Sequence, residues 1–208
     1  MLSYQILQSA SPTICKIKPG NMFTIKKFQF DTKSSIEWKK LLSKQDIELE
    51  WFSTTNNVIM YFSYNKKWIS EILKNKKIKK FLLEKNYPIH LDNKAIIEEL
   101  FFRLKNSNTF PHEVGVFLGY PLEDVISFEK NQGKNCKYCG LWKSYSNPSK
   151  AKKCCNQYAN CSQLCTQWFC EGYSIPQIIK KYKRGFFYES SNCLRKYNWK
   201  HRINGKCN

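Results

Sequence analysis

Nine of the ten cysteines of this 208-residue chain lie between Cys136 and Cys207, and Cys15 stands apart from them. Sulfur at that density implies a disulfide framework, a metal site, or thiols packed as small hydrophobes. Residues 1–20 show no basic segment followed by an apolar stretch, so the expectation is a cytoplasmic chain with reduced thiols. A chain of this length buries roughly 70% of its unfolded surface and needs no bridges to hold a core. Hydrophobic residues at 42% and aromatics at 15% exclude wholesale disorder. No apolar run nears the ~18–20 residues of a membrane-spanning helix, so no membrane span is expected.

Cys136-Lys-Tyr-Cys139 has the spacing of one metal knuckle. A zinc ribbon adds a second such pair roughly 15–20 residues later, because each knuckle aims two sulfurs at the ion. Here the next pair is Cys154 beside Cys155, whose side chains point about 100° apart on a helix. Cys161 and Cys165, one turn apart, chelate better. The candidate ligands are therefore Cys136, Cys139, Cys161 and Cys165, and the candidate cofactors Zn or Fe–S. The competing reading is packing. Ala151, Cys154, Tyr158, Cys161, Cys165 and Trp168 recur at three- and four-residue steps, one apolar stripe of a helix. A redox dithiol at Cys136 and Cys139 is the weaker option, since such pairs sit at helix N-termini and a strand is predicted to follow Cys139.

Periodicity and turn residues predict a turn entering a short strand over 18–25, a helix over 34–43, and a hairpin of strands 47–52 and 58–64. Helices are predicted near 66–74, 76–86 and 93–105, a strand over 138–145, and helices over 148–169 and 174–183. With no regular βαβ alternation, this pattern predicts an α+β fold, a small sheet with several helices packed on it. A single domain is expected over 1–183, with 184–208 a basic aromatic extension.

Within this pattern, FPHEVGVFLGYPLEDVISFEKNQG (110–133) reads as two short helices around a glycine turn, a helix-turn-helix-like pair at about 110–132. Pro111 suits a first turn, Gly119 a helix end and Pro121 a restart, with Glu123 and Asp124 near the second N-terminus. Gly115 is small where the helices cross, and Leu118, Val125 and Phe128 are apolar toward a neighbour. The second helix offers Glu123, Asp124 and Glu129 against Lys130 alone. A negative face is repelled by phosphates, so the pair is read as a packing module. His112 beside Glu113 is the nearest thing to an acid–base couple, but no nucleophile motif accompanies it. With Tyr120 and Trp142, these two residues form the candidate ligand pocket.

The formal net charge is +19, but 31 of the 35 basic residues are Lys and only 4 Arg, beside 18 Asn and 18 Ile. AT-rich codons give that profile, and Lys lacks the planar fork that reads phosphates and bases. Distribution is more telling. Residues 133–208 carry 15 basic and 2 acidic groups, a net +13. Candidate anion-binding residues at this end are Lys180, Lys181, Lys183, Arg184, Arg195, Lys196, Lys200 and Arg202. Interleaved with aromatics, they suit an anionic polymer, or simply a solvated extension.

The segments SPTICKIKPGNMF, FPHEVGVFLGYPLEDV, GLWKSYSNPSKAKK and YANCSQL, in this order and spacing, resemble a family of small proteins from clostridia and related anaerobic Firmicutes. That family is catalogued as a domain of unknown function. The resemblance covers about residues 10–180 and implies an intracellular protein with no assigned reaction, so no catalytic residue carries over. The chain lacks a Gly-rich phosphate loop, GxSxG and HExxH, which argues against an ordinary enzyme. The leading expectation is a non-catalytic binding or accessory protein with a protein or small-molecule partner. The alternatives are a cysteine-based metal or redox protein and a nucleic-acid binder working through the basic tail.

Overall fold

The central strand of the main sheet, β3 (Val58–Asn65), is buried over most of its length, sending side chains alternately to both faces. It pairs antiparallel with β1 (Gly20–Lys26) on one side and β2 (Ile47–Ser53) on the other, in the order β1-β3-β2. The computed structural model describes residues 2–54, 57–107 and 109–193, with side chains through Arg184.

A strand covered on both faces needs two helical layers. One consists of α1 (Leu2–Ile14), α2 (Thr32–Ser43), α8 (Pro148–Cys170) and α9 (Ile175–Cys193). Its core joins Ile6, Leu7 and Ile14 to Leu42, Leu49, Tyr61, Cys161, Cys165 and Ile178. The other holds α3 (Lys66–Leu73), α4 (Lys76–Glu84), α5 (Asn93–Asn106), α6 (Val114–Phe117) and α7 (Leu122–Lys130). Its core joins Phe62 and Tyr64 to Ile69, Leu82, Leu100, Phe117 and Val125. Side chains therefore leave β3 in alternation, Ile59 and Tyr61 to the first core and Phe62 and Tyr64 to the second. Tyr61 keeps its hydroxyl satisfied inside the first core by a 2.6 Å hydrogen bond with Ser35. Asn and Asp caps start the helices: Asp31, Asn65, Asn75, Asp92 and Asn147 each accept from a backbone N–H of the first turn.

The α+β class holds, and most elements fall where periodicity puts them. Three local readings differ. The expected strand over 138–145 is a two-stranded hairpin, β4 (Tyr138–Cys139) and β5 (Lys143–Ser144), turning at residues 140–142. Gly140 explains the turn: a Cβ there would lie 2.6 Å from the Tyr138 ring and 2.8 Å from the Cys155 sulfur. The first helix of the 110–132 pair shrinks to the four residues of α6, while the Val114 and Gly115 N–H groups still donate turn bonds to the Pro111 and His112 carbonyls. α1 has no counterpart in the sequence reading. The expected boundary at residue 184 falls inside α9, and 194–208 lie outside the described residues.

Glycines bring α6 and α7 onto the sheet. Gly115 sits where a Cβ would be 2.8 Å from Val125, so the two helices of the pair cross in contact. Gly119 (φ +81°) packs so closely that a Cβ would lie 2.6 Å from Pro19, whereas Gly172 (φ +90°) ends α8 with open space around it. Gly172→Ala should therefore cost only left-handed strain, about 1–2 kcal/mol. Gly119→Ala should cost that strain plus the clash, giving the larger loss. Urea midpoints of the two variants check the order, and equal losses would mean that the Pro19 contact yields without cost.

Candidate functional site

The two short helices and the β4–β5 hairpin enclose a cleft of about 310 Å³. Its lining is mostly apolar, with Met22 from β1, Leu118 and Val125 from the helix pair, and Leu141 from the hairpin turn. Two ring groups define it. Tyr120 and Trp142 stack with centroids 4.9 Å apart and planes 20° from parallel. His112 packs against Phe128 at 4.8 Å and Phe110 at 5.6 Å. The polar lining residues are His112, Asp124 and Lys143.

Asp124 fixes the Trp142 wall. Only 1% exposed, it accepts from Trp142 Nε1 at 2.8 Å and from the backbone N–H groups of Tyr145 and Ser146 at 2.9 and 2.8 Å. Burial pushes its carboxyl up, but the hydrogen bonds from Trp142, Ser146 and Tyr145 outweigh burial and hold the pKa below the ordinary 3.8. Tyr120 donates from its hydroxyl to the Leu141 carbonyl at 3.2 Å, and burial pushes its phenol pKa up. Lys18 is 3% exposed, with its ammonium 5.0 Å from the Tyr120 ring centre and 5.8 Å from that of Tyr158. At the cleft itself, Lys143 donates to the Gly133 carbonyl at 2.7 Å and lies 5.9 Å from the Phe128 ring.

The structure brings three of the four expected pocket residues, His112, Tyr120 and Trp142, to this cleft. Glu113 is not among its lining residues. It is 5% exposed and accepts from the Tyr87 hydroxyl at 3.2 Å and Arg103 Nη1 at 3.3 Å, while His112 is exposed to solvent. The Glu113 carboxylate is thus engaged by Tyr87 and Arg103.

The expected metal ligands divide. Cys136 is half-buried and Cys139 exposed on the small hairpin. Cys161 and Cys165 lie in the first core, where they meet Cys15, all three sulfurs within 4.8 Å of one another. The Cys15 and Cys165 sulfurs are 3.5 Å apart. Hydrogen bonds to Cys161 and Cys165 and then burial push the Cys15 thiol up, and burial does the same for Cys161. Hydrogen bonding with Cys15 and Cys161 pushes the Cys165 thiol down, which makes it the sulfur best able to take negative charge.

Of the basic residues, Lys180, Lys183 and Arg184 border a depression with Gln45 and Pro176. The ammonium of Lys181 lies 4.0 Å from the Tyr173 ring centre. Arg195, Lys196, Lys200 and Arg202 lie outside the described residues.

Sequence reading did not single out Cys15, Lys18, Asp124 or Lys143 as site residues. Asp124 was visible only as a first-turn acid suited to the helix dipole, and no local pattern ties it to an indole 18 positions on. Because its folded pKa is depressed, Asp124 stabilises in full above the unfolded value of about 3.9 and loses that contribution as pH falls through the folded value. Asp124→Asn should therefore cost about 3 kcal/mol at neutral pH, the scale of charge-assisted bonds to a buried carboxylate. The gap to wild type should close as both proteins are taken below pH ~4. Urea unfolding at several pH values measures it, and a gap independent of pH would show that the charge is not what stabilises.

The segments that carried the resemblance converge on the cleft. Met22 lies in the first, Phe110 through Val125 in the second, and Leu141, Trp142 and Lys143 in the third, leaving Phe128 outside them. No curated protein and no solved structure matches the chain. A family model described as a protein of unknown function (DUF3793) matches residues 6–179, most of the length, and the chain belongs to that family.

Proposed function

We propose that this is a binding protein for a small, flat, aromatic molecule bearing a carboxylate or similar anionic group, held in the cleft between the helix pair and the hairpin. The observation that carries the reading is the stacked Tyr120–Trp142 pair, fixed by the buried Asp124 beside an apolar cavity of about 310 Å³. That volume lies at the lower end of small-molecule sites, roughly 300–1,000 Å³, which are apolar with a few placed polar groups. Rings recognise flat ligands by offset stacking, so two ring groups along one cleft favour a planar guest.

Charge supports an anionic substituent. The Asp124 carboxylate is committed to three N–H donors, and the ammonium of Lys143 in the same lining counters its charge. Lys143 spends one of its three donors on Gly133, and the exposed His112 supplies another donor at the lining. Binding fits this arrangement better than turnover, since Glu113 serves Arg103 and Tyr87. In this reading the protein works in the cytoplasm of an anaerobic bacterium, where ten thiols persist reduced.

Calorimetric titration with 2-naphthoate and its neutral amide tests the proposal. Naphthoate should bind more tightly than the amide. Phe128→Ala should weaken both by about tenfold, the scale of one lost ring contact. Lys143→Met should abolish the preference for the acid while leaving amide binding unchanged. Binding unaffected by both substitutions, or no binding by the folded protein, would overturn the assignment.

A further inference from the structure

The three sulfurs of Cys15, Cys161 and Cys165 meet from two elements far apart in sequence. Cys15 follows the end of α1, while Cys161 and Cys165 stand one turn apart on α8. They are 4%, 0% and 0% exposed, and among the described residues no other group of three His, Cys, Asp or Glu side chains converges so closely. Sulfurs bound to one ion at a metal–sulfur distance of about 2.3 Å stand roughly 3.8–4.0 Å apart. Here the Cys15–Cys165 separation is 3.5 Å and all three fall within 4.8 Å, so an ion needs only small side-chain adjustments to touch each of them.

The surroundings define the ion. The donors are soft sulfur alone, and thiolates select monovalent copper, zinc and iron–sulfur centres. Iron–sulfur clusters use four protein ligands, one more than the trio supplies. Tyr182 on α9 and Ser11 on α1, both buried, neighbour Cys161 and Cys165, so neutral oxygen groups flank the sulfurs. We propose that Cys15, Cys161 and Cys165 form a buried all-sulfur site for a thiophilic d10 cation, with Cu⁺ a better match to three ligands than Zn²⁺. Each S–H that becomes a ligand releases its proton to solvent as its metal–sulfur bond forms, and no electron is transferred. Because the sulfurs are enclosed, loading accompanies folding, and the metal adds to the stability of the first core.

The test uses the full chain, refolded without oxygen in the presence of Cu⁺ or, separately, Zn²⁺, with excess removed before metal counting. The expected result is about one ion per chain, a sulfur-only shell by X-ray absorption, and a metal-dependent rise in the thermal midpoint. Cys136→Ser with Cys139→Ser should retain the ion, whereas Cys15→Ala and Cys161→Ala should each bring its stoichiometry close to zero while circular dichroism confirms folding. Mapping alkylated thiols in the wild-type protein by mass spectrometry needs no variant. With metal, Cys15, Cys161 and Cys165 should resist iodoacetamide together through partial unfolding. Retention of Zn²⁺ alone by the trio supports the sulfur site and overturns the preference for Cu⁺. No retained metal, or an ion lost only with Cys136 and Cys139, overturns the proposal.

Discussion

A carboxylate buried under a hairpin organises the half of the molecule that contains the cleft. Taking a charge such as Asp124 out of water costs several kcal/mol, and the site is tolerable only because three N–H donors converge on it. Two come from consecutive backbone groups, Tyr145 and Ser146, just past β5, and the third from the Trp142 indole. The N-terminal turn of α7 is thereby joined to the hairpin at three points. The hairpin has only two residues in each strand, too few for independent stability. Its conformation is thus imposed by the anion beside it, and the indole plane that stacks on Tyr120 follows from the same bonds.

The other half of the support is steric. Gly20 lets the start of β1 approach α6 so closely that a Cβ would be 2.8 Å from the Phe117 carbonyl oxygen, and Gly119 presses on Pro19 from the far end of the same short helix. α6 is a single turn that could not persist alone, yet Val114, Gly115, Val116 and Phe117 are all buried. Its order comes from tertiary contact, and cleft residues on both sides of it inherit that rigidity. Lys18 adjoins this junction, its ammonium close to the Tyr120 and Tyr158 rings, where cation–π attraction offsets part of the cost of burying a charge.

What sequence alone revealed follows how local each cause is. The hairpin of β2 and β3, the three helices after it and the long α8 rest on periodicity and caps within one element, and these were legible. α1 was not, because Pro12 and the polar residues around it mask a stripe of Leu2, Ile6, Ala10 and Ile14 whose burial depends on α8 and the sheet. The 138–145 segment reads as one strand by composition, and its turn is supported from distant residues, Cys155 beside Gly140 and Leu141 and Asp124 beside Trp142. His112, Tyr120 and Trp142 lie in or just after one motif in the sequence, and all three line the cleft. Glu113, adjacent to His112, faces Arg103 from α5 because consecutive residues on a helical turn diverge by about 100°.

The density of cysteine resolves into distinct settings along one helix. On α8, Cys155 accepts from the Leu141 N–H at 3.4 Å and supports the hairpin turn beside the cleft, and Tyr158 flanks Lys18. Three and seven positions beyond Tyr158, Cys161 and Cys165 enter the first core to meet Cys15, while Cys170 at the end is exposed. At 1.5 Å per residue, Cys155 and Cys165 are separated by roughly 15 Å along the axis. One helix thus borders the cleft module with its first half and the sulfur trio with its second. The apolar stripe and the ligand spacing, which compete as explanations of the sequence, describe consecutive stretches of the same side chains. A small polarizable thiol serves both, packing like a methyl-sized hydrophobe where one sulfur stands alone and offering a soft donor where three converge.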